Sequence, residues 1–129
     1  MNGTDTVILD SNVLIYRSKN LLDLREFFGR YKNVAVSVIT YMETLGHRFE
    51  NSVEEETIRQ ILETLIIVQT DMNIAEKVIA YKQIRRIKTP DAIILATASY
   101  LDADLITVNE SDFKGLDPAV RIIVPMLLP

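Results

Sequence analysis

The sequence predicts an α/β fold, a three-layer α/β/α sandwich around a five-stranded parallel sheet. Three observations predict it. Short β-branched and aliphatic runs alternate with longer stretches of helical periodicity. Those runs are apolar at consecutive positions, as strands covered on both faces must be. The chain has 129 residues, no repeats and only 4 Gly and 4 Pro, so the elements follow one another as a single domain, 1–129. Right-handed crossovers between parallel strands then place helices on both faces.

Thr6-Val7-Ile8-Leu9 is an apolar run ending at Asp10 and reads as the first strand. A short helix spans Asn12 to Arg17. Leu21, Leu22, Leu24, Phe27 and Phe28 recur at helical spacing until Gly29 stops them. Val34-Ala35-Val36 is the second strand, ended by Ser37. Val38 to Phe49 is helical, and Val53 to Leu65 carries Ile58, Ile61 and Leu62 along one helical stripe. Leu65-Ile66-Ile67-Val68 is the third strand. Asp71 caps a helix holding Ile74, Ala75, Val78 and Tyr81. Thr89-Pro90-Asp91 supplies a capping hydroxyl, a proline in the first helical position and a first-turn acid. The helix beyond it, Ala92 to Tyr100, is apolar nearly all round and therefore buried. Leu105-Ile106-Thr107-Val108 is the fourth strand, and Val120 to Val124 the fifth, stopped by Pro125.

Composition narrows the chemistry. Without cysteine there is no disulfide, thiolate zinc site or cysteine nucleophile, which fits a reducing, cytoplasmic setting. Met1 to Asp5 carries no basic or long apolar segment of a signal peptide, and no apolar run approaches a membrane span. A net charge of −4 argues against gripping nucleic acid by bulk positive charge. Local clustering offsets this: Lys82, Arg85, Arg86 and Lys88 lie together, and acids gathered in one site would be neutralised by divalent cations.

The informative residues stand where strands stop. Asp10 follows the first strand, and Glu43 lies one to two turns into the helix after the second. Asp91 is in the first turn of the buried helix, and Asp112 follows the fourth strand. In a parallel sheet all four reach the same end, where sites form beyond the carboxyl ends of the strands. Crowded carboxylates need a positive partner. Hard cations such as Mg²⁺ take oxygen ligands and serve phosphodiester cleavage without histidine or cysteine. Each acid also has a plainer reading. Asp10 suits a helix cap, Thr40 to Glu43 suits a capping box, Asp91 suits the helix dipole, and Asp112 suits a solvated loop. Their coincidence favours the site.

Four segments carry a family resemblance: Val7 to Leu14, Ser37 to Glu43, Lys88 to Ala98 and Leu105 to Phe113. In this order, across nearly the whole chain, they resemble PIN-domain ribonucleases of the VapC type, the toxins of bacterial and archaeal toxin–antitoxin pairs. The resemblance implies a strand order of 3-2-1-4-5 and an endoribonuclease dependent on one or two Mg²⁺ or Mn²⁺ ions. Asp10, Glu43 and Asp91 match the family's core acids. Many members carry an acid where this chain has Asn109, so Asp112 is the nearest candidate for the fourth place. Asn12 and Thr107 match polar positions that orient acids or water. Relatives often form homodimers and are inhibited by a small antitoxin.

Other residues divide between roles. Lys82, Arg85, Arg86 and Lys88 can guide RNA phosphates or simply favour a helix end, and Arg17 and Lys19 are similar but weaker. His47 can share a helix face with Glu43, although a lone histidine more often serves structure. Tyr16, Tyr41 and Tyr100 can stack on bases, with core or interface packing the simpler account of Tyr41 and Tyr100. Apolar surface along Leu21 to Phe28 and Val53 to Leu62 suits core packing first, and a dimer or antitoxin groove second. A receiver-type phosphotransfer domain would need an acceptor aspartate at the end of the third strand, where Asp71 is better explained as a helix cap, and a lysine after the fifth, which Pro125 to Pro129 lacks. A haloacid-dehalogenase-like phosphatase would need an acid at Asn12. A non-catalytic PIN-like module that binds RNA or protein is the remaining rival.

Overall fold

The computed structural model describes residues 4–129. The sequence reading at Met1 to Gly3 lies outside the described residues. Five parallel strands, β1 (Thr6–Leu9), β2 (Asn33–Ser37), β3 (Ile66–Val68), β4 (Asp104–Ile106) and β5 (Ile122–Ile123), form one sheet ordered β3-β2-β1-β4-β5. That is the expected 3-2-1-4-5 order. Six helices connect them: α1 (Ser11–Ser18), α2 (Arg25–Arg30), α3 (Val38–Leu45), α4 (Ser52–Glu63), α5 (Met72–Ile84) and α6 (Thr89–Tyr100).

Side-chain alternation along the strands builds two cores. Ala35 and Leu105 are the register partners of Ile8 on its two sides, and all three pack under α5 and α6 with Ile74, Val78, Ala92 and Leu95. Val7, Leu9, Val34, Val36 and Ile106 face the other side, against Val13, Leu14, Phe27, Ile58 and Leu62 of α1, α2 and α4. Both faces of β1 are therefore sealed, which is why its run is continuously apolar. Each of its three buried aliphatic side chains contributes about 1.5–3 kcal/mol of transfer free energy.

β1 pairs with β2 on one side and β4 on the other, so the strand order reverses between β1 and β4. The cleft beyond their carboxyl ends is the switch point at which sites form in open parallel sheets. The opposite end is clamped. Asp104, only 5% exposed at the amino end of β4, accepts 2.6 Å hydrogen bonds from the Tyr31 hydroxyl and from Arg121.

Several boundaries differ from expectation. Leu21 to Leu24 are not helical: Leu22 bridges Leu127 in antiparallel fashion, because the apolar C-terminal tail folds back over the loop. Gly29 lies inside α2, which closes at Tyr31 through a hydrogen bond to Phe27 O. α3 ends at Leu45, four residues before Phe49. Thr89 is the first residue of α6 rather than its cap. The first helical bond runs from the Ala92 amide to Lys88 O, and Pro90 has no amide hydrogen to bond. Thr40 is not part of a capping box, because Ser37 caps α3 by accepting from the Ile39 amide.

Candidate active site at the switch point

β1 ends by delivering Asp10 to the carboxyl end of the sheet, its amide still bonded to Ile106 O at 2.9 Å. The carboxylate is 4% exposed and held on both oxygens. Oδ2 accepts from Thr107 Oγ1 at 2.7 Å and from Asn12 Nδ2 at 3.1 Å, and Oδ1 accepts from the Ser11 amide at 2.8 Å. Asp10 thus caps α1 and also occupies the site, so the two readings of this residue coexist. Burial is the main cause that pushes its pKa up to about 6, and the charges of Asp91 and Glu43 add to the rise. The Thr107 and Ser11 hydrogen bonds oppose it.

Glu43 reaches Ser11, the neighbour of Asp10, from α3. Ser11 Oγ donates to its Oε1 at 2.6 Å and has Thr40 Oγ1 at 3.2 Å. A hydroxyl has one proton, and the shorter, charge-assisted contact takes it. Ser11 and Thr40 are polar contributors that the sequence reading did not single out as site residues. The only signal for Ser11 was a hydroxyl directly after Asp10, which resembles any helix start.

Asp91 is half-buried in the first turn of α6. Burial raises its pKa most, the charges of Asp112 and Glu43 raise it further, and Lys88 opposes them. Asp112 is exposed at the end of a 3₁₀ turn, Glu110–Asp112. The four carboxylates act on one another in a chain, Asp10 with Glu43 and Asp91, and Asp91 with Glu43 and Asp112.

Thr107 is fully buried and takes the Asn109 amide at 3.0 Å while donating to Asp10. Asn12 spans the same gap, its Oδ1 accepting from the Val108 amide at 3.3 Å. Asn109 thus supports the site through its backbone.

The basic cluster divides. Arg85 donates to the backbone carbonyls of Asp112 and Lys114, and Lys82 donates to Ile87 O. Arg86 and Lys88 are exposed and line a cleft of about 460 Å³ together with Asp91, Ser111 and Asp112. Arg17 donates to Asn20, and Lys19 pairs with Glu50 and Glu54. His47 lies beyond α3 with its ring edge-on to Phe49, 5.3 Å between centroids, so it shares no helix face with Glu43. Tyr16 packs against the second core, while Tyr41 and Tyr100 are exposed. Of the outer apolar stretches, Leu22, Leu24, Phe27, Ile58 and Leu62 are buried, and Leu21, Phe28 and Val53 are exposed.

All the donors are hard oxygens, the set that Mg²⁺ or Mn²⁺ prefers. Among the described residues no three His, Asp or Glu side chains are close enough to enclose an ion. The arrangement fits a cation that keeps part of its water shell and bonds to one or two carboxylates, as Mg²⁺ usually does.

The family model of the PIN domain matches residues 7–117. The chain belongs to the PIN-domain family. Among solved PIN-like structures, a chain of a toxin–antitoxin complex from Klebsiella pneumoniae is 32% identical, with a TM-score of 0.77 over 95% of this chain and 99% of that one. A chain of VapBC-1 from nontypeable Haemophilus influenzae is 24% identical, with a TM-score of 0.75 over 92% and 97%. A chain of DNA-bound VapBC from Salmonella typhimurium is 21% identical, with a TM-score of 0.76 over 92% and 97%. At these last two identities the likeness concerns the fold. No curated protein sequence matches this PIN-domain chain.

Proposed function

We propose that this PIN-domain protein is a metal-dependent endoribonuclease, the VapC-type toxin of a toxin–antitoxin pair, acting in the cytoplasm. The observation that carries the reading is Asp10: a buried carboxylate held by Thr107, Asn12 and Ser11 and repelled by Glu43 and Asp91. A carboxylate kept dehydrated among like charges is poised for a cation. Membership of the family and the Klebsiella toxin–antitoxin relative support the same reading.

Asp10, Glu43, Asp91 and Asp112 would hold one or two Mg²⁺ or Mn²⁺ ions. When bound, the ion supplies Lewis acidity toward phosphate oxygens and lowers the pKa of water. The chain's own residues set the geometry. Thr107 and Asn12 keep Asp10 from rotating, and Ser11 keeps Glu43 turned toward it. Arg86 and Lys88 draw RNA phosphates to the cleft beside Asp91. Because Asp10 carries a proton up to about pH 6, cation binding must release it, so affinity rises with pH through that range. Cleavage should leave 5′-phosphate and 3′-hydroxyl ends. A cognate antitoxin and a homodimer are the expected partners. Among the described residues no helix is long and apolar enough to cross a membrane.

Cleavage of end-labelled RNA with Mg²⁺, with chelator and by Asp10→Asn tests the proposal. Cleavage that needs Mg²⁺ and disappears in the variant supports it. Equal cleavage by the variant refutes it. RNA binding without cleavage under any divalent metal would instead identify a non-catalytic PIN-like module.

A further inference from the structure

Arg85 lies in the basic cluster beside the cleft, where charge alone would assign it to RNA. Its hydrogen bonds say otherwise. Nη1 donates to Lys114 O at 2.8 Å, and Nη2 donates to Asp112 O at 2.9 Å. Both arms of the guanidinium are turned onto one backbone turn. The turn's other hold on α6 is apolar, through Phe113 in the core that contains Ala92 and Leu95. Its internal bonds are local: Asp112 N to Asn109 O, Phe113 N to Glu110 O and Lys114 N to Glu110 O. Phe113 is fully buried, but Ser111, Asp112 and Lys114 are exposed. Arg85 itself is partly buried at the extended residue that ends α5, three residues before the cap of α6. It therefore ties the turn that bears Asp112 to the connection that leads into α6, whose first turn bears Asp91.

We propose that Arg85 is a positioning residue of the candidate active site: its planar fork clamps the 110–114 turn and sets Asp112 beside Asp91. The inference rests on the nuclease reading only for the purpose of Asp112; the clamp is a property of the metal-free chain. A guanidinium serves two carbonyls at once because its donors are rigidly coplanar, whereas a lysine ammonium is a point charge on a flexible stem. Arg86 and Lys88, exposed on the same cleft, remain as the cations that meet phosphate.

Arg85→Met and Arg85→Lys separate the two roles. Three quantities are measured for each: exchange rates of the Phe113 and Lys114 amides without metal, the Mn²⁺ dissociation constant by calorimetry, and RNA affinity in chelator. Arg85→Met should speed exchange at these two amides about tenfold, leave the amides of β1 and β4 unchanged, and weaken Mn²⁺ binding about tenfold. Arg85→Lys should show the same exchange and Mn²⁺ defects while keeping metal-free RNA affinity within twofold of the parent. Unchanged exchange in Arg85→Met overturns the clamp, whether or not the protein cuts RNA. Faster exchange with unaltered Mn²⁺ affinity overturns the positioning of Asp112. Full rescue by lysine with weakened RNA binding in Arg85→Met makes Arg85 an RNA contact instead. If the parent protein neither binds Mn²⁺ nor cleaves RNA, the nuclease reading fails, and the positioning role falls with it even where the exchange result stands.

Discussion

Asp10→Asn should make the metal-free protein more stable at neutral pH even though it removes the central acid of the site. Burial raises the folded-state pKa of Asp10 from 3.8 to about 6. An acid raised in this way binds its proton more tightly folded than unfolded. Its favourable contribution is complete below about pH 4 and disappears as pH rises through about 6. Two pH units correspond to roughly 3 kcal/mol of destabilisation above pH 6. Asparagine has no charge to dehydrate, but it retains only one acceptor oxygen. That oxygen must stay on the Ser11 amide, which turns the new NH₂ toward Thr107 Oγ1 and Asn12 Nδ2. Thr107 can rotate to accept, which leaves its own buried proton and the donor of Asn12 unmatched, at about 1 kcal/mol each. The net gain is about 1 kcal/mol, or roughly 3–5 °C in Tm for a chain of this size. Thermal and urea unfolding from pH 4 to 8 in chelator would measure it. The variant should be about 1–2 kcal/mol less stable than the parent near pH 4 and overtake it as pH rises toward 7, and Mg²⁺ should raise the Tm of the parent alone. A variant less stable than the parent at pH 7, or a difference independent of pH, would refute the argument that Asp10 is a dehydrated charge awaiting a cation.

Other consequences follow from the same contacts. Ser11→Ala frees Glu43 from its 2.6 Å tether and should lower Mg²⁺-dependent cleavage about ten- to a hundredfold, with unfolding free energy within about 1 kcal/mol of the parent. Joint replacement of Arg86 and Lys88 by Ala should weaken RNA binding and reduce the slope of log affinity against log salt by about 1–2, read by titration at several salt concentrations. Tyr31→Phe leaves the buried Asp104 with Arg121 as its remaining side-chain donor and should cost about 1–3 kcal/mol in urea unfolding without altering cleavage. Leu95→Ala, at a fully buried position under the sheet, should cost about 2–5 kcal/mol in the same measurement.

Much of this molecule is legible in its primary structure. The runs at Val7 to Leu9 and Val34 to Val36 are apolar at every position, and only a doubly covered parallel strand requires that. The acids at positions 10, 43 and 91 stand just past such runs or at a helix start, so chain direction alone carries them to one end of the sheet. The family resemblance added the strand order, which periodicity cannot supply. Gly29 reads as a stop signal, and α2 ends one residue beyond it, at Arg30. Local patterning could not reveal what depends on partners distant in the chain. Leu21 to Leu24 have helical spacing, but pairing with the C-terminal tail draws them into a loop. Arg85 and Lys82 look like free cations until backbone carbonyls are found against them. Ser11 becomes a site residue only because α3 brings Glu43 within 2.6 Å across 32 residues of sequence. Strand identity and the placement of the acids come from local hydrophobicity and chain direction, which any segment carries within itself. Which polar groups hold those acids is a matter of hydrogen-bond geometry, and that exists only once the segments have packed.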